Sequence, residues 1–116
     1  MNLEIHASRV RLTDSIRQQV QRRVDFATGR FTDHVERVSV VLEDTNGPRG
    51  GDDKLCRIRV HLIGDRSPLI AETIHEQISA AIDVAADNIS RQIAKRLDRR
   101  TESRRNTRPH LEVAMN

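Results

Sequence analysis

Residues 78–97 read Ile-Ser-Ala-Ala-Ile-Asp-Val-Ala-Ala-Asp-Asn-Ile-Ser-Arg-Gln-Ile-Ala-Lys-Arg-Leu. Ile78, Ile82, Ala85, Ile89 and Ile93 recur at steps of three or four, the signature of one apolar stripe on a helix. The pattern predicts a long amphipathic helix that starts near His75 and Glu76 and runs at least to Leu97. Such a stripe must be buried against something, and the residues upstream supply a sheet. Residues 55–63 alternate, with Cys56, Ile58, Val60 and Leu62 on one face and Arg57, Arg59 and His61 on the other. Residues 69–74 form a short strand after the turn Gly-Asp-Arg-Ser-Pro.

Further out, Val-Ser-Val-Val-Leu at 38–42 and Leu-Glu-Ile-His-Ala at 3–7 read as two more strands. Between them Thr13 offers an N-cap, Asp14 favours the positive helix end, and Ile16, Val20, Val24 and Ala27 recur at helical spacing. Gly29 offers a left-handed stop. The order is therefore β-α-β-β-β-α, an α+β domain. Both helices are expected on one face of a four-stranded mixed sheet, against Leu3, Ile5, Val38, Val40, Leu42, Ile58, Val60 and Leu62. A right-handed crossover through the first helix leaves the first two strands parallel and the later pairs antiparallel. The layout is like that of double-stranded-RNA-binding modules.

A chain of 116 residues suffices for one domain. We place that domain at 1–103 and a basic, disordered tail at 104–116, where apolar periodicity ends. Phe26 and Phe31 are the entire aromatic content, which argues against modules that stack several bases on exposed rings. No apolar run reaches the roughly 18 residues of a membrane span, and no signal segment precedes the first strand. The expectation is a soluble, cytoplasmic protein without a membrane partner. One cysteine, Cys56, excludes an internal disulfide and a Cys-based zinc cluster.

Catalysis is not expected. Cys56 and His61 point to opposite faces of one strand, the five histidines show no metal-ligand grouping, and no carboxylate pair suggests an acid–base dyad. Cofactors, metals and small-molecule substrates are accordingly not expected. Gly50-Gly51 could form a phosphate nest with Arg49 and Lys54, but Asp52 and Asp53 oppose it, so the loop over 46–53 reads as a hairpin connection.

Charge is divided unevenly. Residues 1–90 carry 12 Lys or Arg against 14 Asp or Glu, a net of −2; residues 91–116 carry 8 against 3, a net of +5. Of the 20 basic residues all but Lys54 and Lys95 are Arg, whose planar fork suits phosphate. Arg91, Lys95 and Arg99 form an i, i+4, i+8 row away from the apolar stripe, the arrangement a phosphate-binding ridge requires. The competing reading is a solvated face with Asp87 and Asp98 as local partners. Arg96 and Arg100 fall on the azimuth of Ile82 and Ile89, so either their stems snorkel or the helix has left the sheet there and projects a cationic tip; both are expected to contact RNA together with Arg91, Lys95 and Arg99.

The element order, the Leu-Thr-Asp-Ser-Ile-Arg helix start at 12–17, the Arg-Val-Ser-Val-Val-Leu strand at 37–42 and the segment 77–96 together resemble the ribosome hibernation-promoting factor family. That family is also called ribosome-associated inhibitor or sigma-54 modulation proteins. The resemblance covers about residues 2–100 and points to a short form; the loop Asn46-Gly47-Pro48-Arg49-Gly50-Gly51 looks like a divergent branch. It implies a non-enzymatic protein that binds rRNA of the small ribosomal subunit and inhibits translation under stress. It also implies RNA contact by Arg22 and Arg23, which match basic positions of the family's first helix, with Arg30 extending the patch. With so few aromatics, affinity is expected from phosphate contact and shape. The alternative is a protein-interaction module using the open sheet face, where Val41, Ile63, Ile70 and Ile74 could form an apolar strip for a partner or a weak homodimer.

Overall fold

The structure, a computed structural model, describes residues 2–45 and 53–115, with side chains as far as Arg99. The Gly-rich loop and its candidate phosphate nest lie outside the described residues.

Strand β1 (Asn2–Ser8) is followed by helix α1 (Asp14–Thr28), a 3-10 segment (Gly29–His34), β2 (Val35–Asp44), β3 (Lys54–Leu62), β4 (Leu69–His75) and α2 (Ile78–Met115). The sheet order is β1-β2-β3-β4, with β1 parallel to β2 and both later ladders antiparallel, as the crossover rule requires. Thr13 caps α1: its Oγ1 accepts the Ile16 N–H at 3.2 Å. Gly29 ends the helix with φ +41°, a sign of φ that side-chain-bearing residues rarely adopt.

Register decides which residues are covered. Val38 pairs with Val60 and Leu3, Val40 with Ile58 and Ile5, Leu42 with Cys56 and Ala7. These rows face the helices. Val38, Val40, Leu42, Cys56, Ile58, Val60 and Leu62 are buried, while Leu3 and Ile5 on edge strand β1 are only partly covered. From α1 come Val20, Val24 and Ala27; from α2 come Ala81, Ile82, Ala85, Ala86, Ile89, Ile93 and Leu97. Burial pushes the Cys56 thiol up to about 12, so it stays protonated and unreactive.

Some boundaries differ from the sequence reading. The final helix starts at Ile78, because His75 still belongs to β4, opposite Lys54, and its Nδ1 accepts the Gln77 N–H at 3.1 Å. Ile63 lies past the end of β3, and its N–H is bonded to the His34 carbonyl at 2.9 Å. The 3-10 segment was not anticipated. The span of α2 runs to Met115, so the boundary expected after residue 103 falls inside it.

Candidate nucleic-acid interface

The charged surface of α2 is organised on one line. Asp83, Asp87, Arg91, Lys95 and Arg99 are spaced by four, and each step winds about 40° around the axis. The row therefore begins beside α1, crosses the outer crest and ends on the flank toward β4.

The acidic half is occupied. Arg23 on α1 places its Nη2 2.6 Å from Asp87 Oδ1 and 3.2 Å from the Asp83 carbonyl, with Nε 3.4 Å from Asp83 Oδ1. One turn earlier, Gln19 Nε2 donates to Asp83 Oδ1 at 3.0 Å and to the Ser79 carbonyl at 2.9 Å. The Gln19–Asp83 and Arg23–Asp87 pairs share a sequence offset of 64, so α1 and α2 run parallel. Extending that register puts Arg91 level with Ala27, at the last turn of α1.

The basic half has no such neighbour. Arg91, Lys95 and Arg99 are exposed, and none has a hydrogen-bond or ion-pair partner among the described residues. Asp87 is turned to Arg23, not to Arg91. Arg96 is half-buried, with Nη1 3.0 Å from Asp65 Oδ2 in the β3–β4 turn. Its snorkelling stem thus ends on a carboxylate 31 residues away in sequence. Lys95, Arg96 and Arg99 line an open cleft of about 180 Å³ with Leu69 and Gln92. The Arg100 side chain and the cations beyond it lie outside the described residues.

The remaining candidates are separated from this row. Arg22 is exposed and lines a groove of about 520 Å³ between α1 and the start of α2. Arg30 is exposed, with its guanidinium 4.8 Å from the centroid of the Phe31 ring. Arg22 and Arg23, adjacent in sequence, therefore have different employments: one is uncommitted and one ties two helices together. The signal for that division was present in Asp83 and Asp87, which continue the basic row at the same spacing with opposite sign. Phe26, 74% exposed in the groove beside Arg22, was not singled out from the sequence, although its i+4 spacing from Arg22 sets it off the apolar stripe of α1.

On the open sheet face, Arg57 Nε donates to Glu72 Oε2 at 2.7 Å, an ion pair between directly opposed residues of β3 and β4. Ile63, Ile70 and Ile74 are exposed, whereas Val41 is partly covered. At the base of the β2–β3 hairpin, hydrogen bonds to Asp53 and then Asp44 hold the Lys54 ammonium above its ordinary pKa, against the opposing effect of its own desolvation. Among the described residues no cluster of three His, Cys, Asp or Glu side chains is placed to hold a metal, and no helix is long and apolar enough to cross a membrane.

The fold is shared with solved proteins. A ribosomal subunit interface protein from Coxiella burnetii superposes with a TM-score of 0.70 at 13% identity, covering 84% of this chain and 99% of that one. The N-terminal domain of Thermus thermophilus Protein Y superposes with a TM-score of 0.67 at 27% identity, covering 82% and 98%. No curated protein sequence matches the chain. The family model described as sigma 54 modulation protein / S30EA ribosomal protein matches residues 3–101, nearly the whole folded region. The chain belongs to the sigma 54 modulation protein / S30EA ribosomal protein family.

Proposed function

We propose that this protein is a non-enzymatic, cytoplasmic ribosome-binding factor that docks on structured rRNA of the small subunit and holds idle ribosomes out of translation under stress. The observation that carries the reading is the row Arg91, Lys95 and Arg99: three exposed cations in line, none with a hydrogen-bond or ion-pair partner among the described residues. Family membership supports the ribosome as partner, as does the name of the Coxiella burnetii relative, a ribosomal subunit interface protein. Arg22 and Arg30 add exposed charge on the α1 side. Arg23 and Arg96 contribute by fixing α1 and the β3–β4 turn against α2, which holds the row rigid.

Cations in line bind phosphate by displacing condensed counterions, so affinity falls with salt by roughly 0.7–0.9 logarithmic units per contact. Reversing all three residues in an R91E/K95E/R99E variant should abolish co-sedimentation with ribosomes, flatten the salt slope by about two to three, and preserve helical content. Unchanged binding at an unchanged slope would overturn the reading. A second reading, self-association through the open sheet face, is favoured by the exposure of Ile70, opposite Arg59, and of Ile74, opposite Leu55. It would take the lead if the triple variant bound normally and the protein sedimented as a dimer.

A further inference from the structure

Among the described residues Phe26 is the most exposed large hydrophobic side chain, at 74%. Its helix would be as well served there by a polar residue, since neighbouring Gln21, Arg22 and Asp25 are all exposed and polar. A ring held in water on a rigid helix is an unspent binding element. Among the described residues the one cation stacked on a ring is Arg30, on Phe31, so neither face of Phe26 is covered that way.

The ring stands in a groove with a specific chemistry. Arg22, one turn before it on α1, has no hydrogen-bond or ion-pair partner among the described residues. The floor and far wall are Ser15, Gln19, Ser79 and Asp83. Asp83 would repel an anion if left bare, but Gln19 and Arg23 both bind its carboxylate. One aromatic face, one free guanidinium and a polar, hydrogen-bonding floor suit a nucleotide. An apolar peptide anchor would need an apolar floor, which this groove lacks. At about 520 Å³ the groove falls within the roughly 300–1,000 Å³ of small-ligand clefts.

We infer that Phe26 and Arg22 form a nucleotide seat in which an unpaired base of structured RNA stacks on the Phe26 ring and its phosphate meets Arg22. The inference rests on the ribosome-binding reading and adds to it a stacking contact that the low aromatic content argued against. Stacking releases no counterions, whereas a phosphate contact does, so the two halves of the seat carry different salt signatures.

The test is a binding titration against small ribosomal subunits across a salt series, with melting temperatures to confirm folding. F26A should weaken binding by about five- to hundred-fold, the range of one base–aromatic stack, with the salt slope unchanged. R22A should lower the slope by about 0.7–0.9. F26Y and F26W should bind like the wild type, and F26L should behave like F26A. Because the chain has no tryptophan, F26W supplies a single emitter, expected to be quenched as a base stacks on it. Full binding by F26L would overturn the seat in favour of an aliphatic protein contact, and unchanged binding by F26A would also overturn it. A wild type that fails to bind ribosomes sinks the parent reading; a wild type that binds while bound F26W emits unquenched sinks the seat alone.

Discussion

The acidic and basic halves of one helical row on α2 differ in what stands beside them. Asp83 and Asp87 run alongside α1 and are taken up by Arg23 and Gln19. Arg91, Lys95 and Arg99 continue the same line from the last turn of α1 onward, and none has a hydrogen-bond or ion-pair partner among the described residues. Spacing and exposure are alike in the two halves; neighbourhood is not. A charge on a helix acts as internal fastening where another element lies within reach, and as a surface for outside partners where none does.

That division can be broken by exchanging the fates of the two halves. The largest effect belongs to R91E/K95E/R99E: ribosome binding is lost while the melting temperature stays within a few degrees, since exposed substitutions usually move stability by less than about 0.5 kcal/mol each. D83N/D87N should do the reverse. Arg23 would lose the charge of both half-exposed carboxylates, a cost of about 0.2–1 kcal/mol per pair, visible as a lower urea midpoint. Its ribosome-binding salt slope should match the wild type. A drop in slope without a drop in stability would show that the acidic half does not serve as a fastening.

Arg96 sharpens the boundary between the two roles. It sits among the cations of the cleft but is anchored on Asp65. R96Q should cost about 0.2–1 kcal/mol, as partly exposed pairs do. It should reduce the salt slope by less than the roughly 0.7–0.9 of a full phosphate contact. A loss equal to that of R99Q would move Arg96 into the ridge. The smallest effect is expected from deleting residues 104–116, which lack apolar periodicity: the melting temperature should shift by no more than a few degrees. A large fall would mean that Leu111 and Val113 dock on the domain.

Much of this architecture was legible in the sequence because it is local. The alternation of Cys56, Ile58, Val60 and Leu62 against Arg57, Arg59 and His61 gives β3 and its buried face, and the Ile stripe gives α2. Thr13 and Gly29 mark the ends of α1 by capping chemistry. What was misread depends on partners distant in the chain. His75 looked like a helix start, but its pairing with Lys54 keeps it in β4. Arg22 and Arg23 differ in helical phase, Arg22 opposite the apolar stripe of α1 and Arg23 flanking it, but the partners that make Arg23 a tie come from the parallel packing of α2. Arg96 was legible as an anomaly on the apolar stripe, yet its resolution, Asp65, lies in a turn whose approach to α2 no local pattern encodes.

The sheet is open, so both β1 and β4 are edges at which a further strand could add. On the β4 side, Gln92 of α2 donates to the Ile70 carbonyl at 2.8 Å, occupying backbone that an incoming strand could use. On the β1 side exposed Glu4 and His6 stand 3.5 Å apart along the strand. Edge charge and a helix laid over the strand are two ways of discouraging edge-to-edge growth. Filament formation by strand addition is thus discouraged at both edges of the sheet.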